Sequence, residues 1–248
     1  MKIKFSIHPL TYITALIAIV TANFKLYLAF TMLIIIHELG HIISALIFKW
    51  KIDKIVILPI GGITKFNDLI NKPLIEECII AVSGIIFQLI FYLLFLRSSD
   101  TFFYCNIVIL IFNLIPIYPL VGSKILNIIL NKLVSFKISY LISIYISFII
   151  ILILFFYLII KKDIVLIIIL IPLCLGLIKE YKNRKDLLNK FYLERYLYNI
   201  NYEKIKTIKG INLSKMKRDY KHIFVNNNEY YTEDIILKNK FDKMKKIW

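Results

Sequence analysis

The sequence predicts an all-α polytopic membrane protein of about six transmembrane helices, with a small membrane-edge β-hairpin and a short polar C-terminal tail. Three observations predict it. The 248 residues are 59% hydrophobic, and the apolar ones fall in blocks near the ~20 residues that cross a bilayer. The formal net charge is +16, and the basic residues crowd the loops and the tail, as in cytoplasmic segments near anionic lipid. Polar groups inside the apolar blocks are few and gathered, which marks function over packing.

Residues 1–8 form a short basic lead. Residues 9–24 are a first apolar segment, a little short for a span. Its small-residue content offers no cleavage site, so it reads as a retained anchor. Residues 26–48 are the second segment. Residues 49–72 differ in kind, with Ile52, Ile55 and Ile57 set among Lys51, Asp53 and Lys54. With Gly61-Gly62 as a turn, they read as two strands at the membrane edge, or equally as a plain interfacial loop. A hairpin there must pack on protein or border a cleft, because lipid forbids an open sheet edge.

Residues 73–96 are the third span. Glu76 and Glu77 sit in its first turn, where a helix N-terminus favours negative charge. Ser83, Gly84 and Gln88 lie deeper, suited to a close helix contact or a polar group facing a site. Residues 102–130 begin as a span and break between Asn113 and Gly122. Pro116 and Pro119 cannot continue a helix there, which predicts an extended segment facing the second span. Residues 137–160 and 164–178 are the fifth and sixth spans. Beyond Lys179 the chain turns polar and basic. Residues 191–199 read as a short amphipathic helix and the rest as too polar for a large core. The expected division is therefore 1–179 in the membrane and 180–248 as a cytoplasmic tail. Cys78, Cys105 and Cys174 form no C-x-x-C pair and imply no disulfide framework.

The second span carries His37-Glu38-Leu39-Gly40-His41. Four-residue spacing on a helix puts both imidazoles on one face, suited to one Zn²⁺. Glu38 beside them can take a proton from the attacking water. Buried in hydrocarbon, these groups cost several kcal/mol unless paired or ligated, so they read as a metal site. The basic loops follow the second and fourth spans, which puts both termini in the cytoplasm. His41 then lies about 12 Å of helical rise from Lys49, on the cytoplasmic side. The tail's charge alone would suit nucleic acid, but no recognition motif accompanies it, and nucleic acid is excluded as a partner.

Order and spacing of these motifs resemble the site-2 protease family of intramembrane zinc metalloproteases, and most closely its sporulation branch, which processes a sigma-factor precursor. The resemblance runs through residues 37–41, 58–62, 73–88 and 113–126, and again at Phe191-Tyr192-Leu193-Glu194-Arg195-Tyr196. It implies zinc held by His37 and His41, Glu38 as the catalytic base, and Asn113 positioning water or the substrate peptide. It also implies a membrane-associated protein substrate and membrane regulatory partners. Many members carry a nucleotide-binding regulatory region of two short repeats; 180–248 is too short for a complete one and reads as truncated or degenerate.

One position departs. The family's third ligand is an Asp before Gly in Asn-x-x-Pro-x-x-Pro-Leu-Asp-Gly. Asn113, Pro116, Pro119, Leu120 and Gly122 match, but Val121 stands in the ligand position and Ser123 where a second Gly is usual. Three readings follow: an active intramembrane metalloprotease, an inactive protease-derived membrane binding protein, or a metal-handling membrane protein that uses only the histidine pair. The hairpin and the broken fourth segment count against the last.

Overall fold

The computed structural model describes residues 4–245 apart from 59–60, 67–68, 98, 163, 199 and 228. The chain opens with strand β1 (Lys4–Ile7) where a basic lead was expected, and β1 pairs in parallel with β2 (Ile52–Leu58), Lys4 opposite Lys54 and Ile7 opposite Ile57. The predicted hairpin is thus the larger part of a three-stranded sheet ordered β1-β2-β3. β3 (Gly61–Phe66) runs antiparallel to β2, with Gly61 opposite Leu58 and Gly62 opposite Ile57. The two glycines begin the strand and are not its turn. Pro59 and Ile60, between the strands, lie outside the described residues, as does Asp68.

Helix α1 (Pro9–Val20) starts on a proline, and the His8 ring accepts a hydrogen bond from the Leu10 amide at 3.3 Å. Pro suits this position because a first-turn amide has no helical partner. α1 has 12 residues and rises only about 18 Å. Among the described residues, three helices are long and apolar enough to cross a membrane: α2 (Phe24–Ile47), α3 (Leu74–Phe91) with its continuation to Leu96, and α6 (Phe136–Lys161).

The fourth apolar segment divides as its prolines require, into α4 (Asp100–Leu114) and α5 (Val121–Leu133). Through Tyr118 and Pro119 the break borders the cavity that reaches His41 of α2, as the sequence predicts, and it also packs into a core. Ile117, Tyr118 and Leu120 are buried against Tyr140, Ile144, Leu173 and Leu177, side chains of α6 and of α7 (Ile164–Leu197). Its apolar side chains fill that core, while Tyr118 and Pro119 also line the cavity shared with His41 and Ile80. Gly122 allows the sharp return, since a Cβ there would come within 2.5 Å of the Ile115 carbonyl oxygen.

The region beyond Lys179 also differs from expectation. α7 continues unbroken through Pro172 and out of the apolar block to Leu197, so residues 191–197 are its end and no separate helix, and Asn199 lies outside the described residues. Strands β4 (Lys204–Lys209), β5 (Tyr220–Asn226) and β6 (Glu229–Thr232) form a second sheet, closed by α8 (Glu233–Lys245). Phe136, Phe191, Tyr192, Ile208, Met216, Phe224 and Leu237 make a buried core under it. The segment reads as too polar because Phe136, Phe191 and Tyr192 of that core are lent by α6 and α7.

Candidate metal centre

α2 and α3 touch through their smallest residues. A Cβ at Gly40 would lie 2.6 Å from the Ser83 carbonyl oxygen and 2.9 Å from Gly84 Cα. The Ser44 and Ser83 hydroxyls meet at 2.7 Å, and Ser83 donates to the Gly40 carbonyl at 3.0 Å. Small residues at such a contact let two backbones approach where no hydrophobic effect drives them together. The approach sets α3 directly over His37 and His41.

Three α3 positions, each four residues from the next, meet the imidazoles. The Ile80 carbonyl faces His41 Nδ1 at 2.7 Å and Gln88 Oε1 faces His37 Nδ1 at 3.0 Å. Carbonyl oxygens only accept, so each Nδ1 carries the proton. Gly84 lies between them, where a Cβ would come 2.5 Å from His41 Nε2 and 2.9 Å from His37 Nε2. The two Nε2 atoms are 3.1 Å apart and both bare. Two lone pairs that face each other repel unless a cation stands between them. Zn–N bonds of about 2.0–2.1 Å at a tetrahedral angle put two nitrogens about 3.3 Å apart. The pair therefore fits zinc in donor type, tautomer and spacing.

Glu38 completes the group, with ligand atoms of the three residues within 4.8 Å of one another. All three side chains are buried, His37 being 1% exposed and Glu38 and His41 5% each. Glu38 Oε2 accepts from the Thr64 hydroxyl at 2.7 Å. Gly62 lies against the same carboxylate, where a Cβ would come within 2.5 Å of Glu38 Cγ and Oε1. The membrane-edge sheet thus serves the site directly: β3 holds the carboxylate from the side opposite α3.

Val121 starts α5 and is buried with Leu74, Ala81, Ile85 and Ile128, an apolar cluster on the α3 side of the site. It brings no ligand atom. Asn113 ends α4, donates to the Ile109 carbonyl at 3.0 Å, and sets Oδ1 3.9 Å from the Cβ that Gly61 lacks. It therefore lies beside the start of β3, next to the strand that holds Glu38. Glu76 and Glu77 are paired with residues other than the histidines. Glu76 accepts from the Trp50 indole at 2.7 Å, and Glu77 pairs with Arg218 at 2.6 Å.

The sequence reading missed Thr64, Asn106 and Lys124. Thr64 sat in a segment read as possible loop; its alternation with Phe66 on one strand face was the available signal. Asn106 is a lone polar residue in an apolar run, which was a signal by the rule already applied to His37. Lys124, one turn beyond Val121, helps line a cavity of about 500 Å³ that reaches His41 and is also bordered by Phe66, Glu77, Tyr140 and Arg218. This cavity brings open space to His41, one of the two buried histidines.

Fold and centre together define a membrane-embedded metallopeptidase. The sequence pattern of peptidase family M50 matches residues 25–99. The chain is 30% identical over 241 residues to stage IV sporulation protein FB of Bacillus subtilis (strain 168), covering 89% of this chain and 83% of that one. It is 29% identical over 153 residues to a zinc metalloprotease of Methanocaldococcus jannaschii, covering 53% of this chain and 44% of that one. The site-2 protease structure from Methanocaldococcus jannaschii superimposes with a TM-score of 0.58 at 23% identity, over 73% of this chain and 91% of that one. The chain belongs to peptidase family M50, the site-2 proteases, and is a metalloendopeptidase of that type.

Proposed function

We propose that this chain is a zinc-dependent intramembrane protease acting on a membrane-associated protein, of the sigma-factor-precursor class that its resemblance to the sporulation branch implies. The observation that carries the reading is the pair of bare Nε2 atoms 3.1 Å apart with the Glu38 carboxylate beside them. His37 and His41 would hold the zinc, which when bound supplies Lewis-acid polarisation of a carbonyl and a water of lowered pKa. Glu38 takes the proton of the attacking water and returns it to the leaving amide nitrogen. Thr64 fixes the carboxylate for that transfer. β3 is an edge strand of its sheet, so an extended substrate can add to it by main-chain hydrogen bonds, next to Asn113 and Glu38. Both termini are assigned to the cytoplasmic side by the basic loops, and 180–248 to a regulatory region that meets membrane partners.

Val121 weakens this centre. Catalytic zinc ordinarily has three protein ligands, and here an apolar side chain stands where the family's Asp would. The chain as written should bind zinc weakly and cut slowly. The same residue supports a second reading, a protease-derived membrane protein that binds a client without cleaving it. Zinc content and cleavage of a co-expressed membrane-associated substrate, measured for the chain as written and for Val121→Asp, separate the two. Protease function predicts a gain in metal affinity with Val121→Asp of at least the ~10–100-fold that an orienting partner alone is worth, and cleavage with it. A Val121→Asp protein that binds zinc yet cuts nothing favours the binding protein. Equal cleavage by both chains would mean that another residue completes the centre.

A further inference from the structure

The two histidines are oriented in different ways. His41 Nδ1 donates to a backbone carbonyl, that of Ile80 at 2.7 Å. A helix carbonyl cannot turn over, so the His41 tautomer is fixed by the fold alone. His37 depends on a side-chain amide, and an amide can rotate half a turn and present its NH₂ group where its oxygen was. That rotation would reverse the roles: His37 Nδ1 would accept, the proton would sit on Nε2, and Nε2 could no longer bind a metal.

Asn106 prevents the rotation. Gln88 is fully buried at 0% exposure. Its Nε2 donates to the Asn106 backbone carbonyl at 3.0 Å and to the Asn106 side-chain oxygen at 2.8 Å. Both acceptors belong to one residue of α4, itself buried. With both N–H groups committed there, Oε1 is left for His37 Nδ1 at 3.0 Å. A turned amide would aim its oxygen at two oxygens and its NH₂ at a ring nitrogen that would have to give up its proton. Buried polar groups left unsatisfied in this way are strongly disfavoured.

We infer that Gln88 and Asn106 form a relay from α4 through α3 to α2 that holds His37 in its metal-binding tautomer. Both are positioning residues and neither touches substrate. The inference rests on the metal reading of the centre proposed above, and its two readouts keep the failures apart. The first is the tautomer itself in metal-free full-length protein in detergent, labelled with ¹⁵N-histidine; the chain has only four histidines, which makes assignment tractable. The relay predicts a bare Nε2 and a protonated Nδ1 at His37 in the parent. It predicts a shift toward the opposite tautomer in Gln88→Met and in Asn106→Leu, with His41 unchanged. The second readout is Co²⁺ titration followed by visible absorption, in the parent and in the Val121→Asp background. Gln88→Met should lose about 10–100-fold in Co²⁺ affinity, the usual effect of removing a group that orients a ligand. Asn106→Leu should lose less. Gln88→Glu, whose carboxylate accepts from Nδ1–H without needing Asn106 to orient it, should recover most of the affinity. An unchanged His37 tautomer in both Gln88→Met and Asn106→Leu overturns the relay. A parent that takes up no Co²⁺ in either background sinks the metal reading, and the tautomer measurement still decides the relay.

Discussion

The α2–α3 contact and the joint between α7 and the second sheet both bury polar groups, and they hold them by opposite means. Around His37, Glu38 and His41 the partners are neutral: a backbone carbonyl, an amide and a hydroxyl. Closeness is set by Gly40, Ser44, Ser83 and Gly84, and the space left for a metal is defined by a missing Cβ. At the joint the partners are ions. Arg195, with a side chain 1% exposed, donates to Glu233 at 2.9 Å, and its other nitrogens reach Asn71 Oδ1 and the Lys217 carbonyl. Arg218 ties the same region to Glu77 at the start of α3. The difference follows from surroundings. In hydrocarbon a fixed charge without its counter-ion costs too much to keep, so the centre is built from neutral donors and steric fit. At the joint, ion pairs carry several further hydrogen bonds, and they lock orientation.

The steric half of this contrast gives the largest expected effect. Gly84→Ala puts a methyl group 2.5 Å from His41 Nε2, so His41 must move or α3 must withdraw. Metal binding and cleavage should both be lost, while membrane insertion persists. A Gly84→Ala chain with unchanged metal affinity would show that fit at this contact does not define the centre. Glu38→Gln comes next. It keeps shape and the acceptor oxygen for Thr64 but cannot take a proton, so cleavage in an active background should fall by about 10²–10⁴-fold with metal content nearly unchanged. Full activity would remove Glu38 from the mechanism.

The ionic half is broken by Arg195→Met. It leaves Glu233 buried with only His222 and its backbone partner, and removal of one member of such a pair costs about 3–5 kcal/mol. The second sheet should lose protection against proteolysis, and Co²⁺ binding at the α2–α3 contact should change little. Equal loss at both places would mean that the two regions fold as one unit and the contrast is false.

Much of this was legible beforehand, for identifiable reasons. Histidines at four-residue spacing share one helix face, so the sequence already grouped His37, Glu38 and His41, and the structure brings the three side chains together. Ser83, Gly84 and Gln88 were read as a helix contact or a polar group facing the site, and they serve as both. What escaped needed partners distant in sequence. Lys4–Ile7 becomes a strand only because β2 lies beside it. The second sheet was dismissed because its core is shared with Phe136 and Phe191, residues counted elsewhere. The packing of the broken segment on α6 and α7 also escaped, because its prolines announce a break but say nothing of which core Ile117 and Tyr118 fill. Asn106 carried a signal that was passed over: an amide alone in an apolar helix must have a partner.

The smallest effect expected is one of pH, and it tests how the ionic joint responds to acid. His222 is buried beside Glu233, with Nδ1 3.0 Å from Oε2, and its Nε2 accepts from the Lys217 amide at 3.0 Å. An acceptor nitrogen cannot carry a proton, so His222 is neutral with its proton on Nδ1. Burial is the main reason its pKa lies below the ordinary imidazole value, and the Glu233 hydrogen bond only partly opposes it. Burial pushes Glu233 up, but hydrogen bonds from His222 and Arg195 and the Arg195 charge outweigh that and hold it below the ordinary carboxylate value. Both shifts have the same sign for folding. Below about pH 6.5 an unfolded histidine takes up a proton that folded His222 refuses, and below about pH 4.3 the same holds for Glu233. Stability of the second sheet is therefore full above about pH 6.5 and declines as pH falls, first through His222 and then through Glu233. Amide exchange in β5, corrected for the intrinsic rate, should quicken between about pH 7.5 and about pH 5. In His222→Gln, which keeps a donor and an acceptor but does not titrate, the onset should disappear. If β5 protection is flat across that range in the parent, or declines equally in His222→Gln, then this histidine does not govern the joint and its neutrality is a consequence of packing alone.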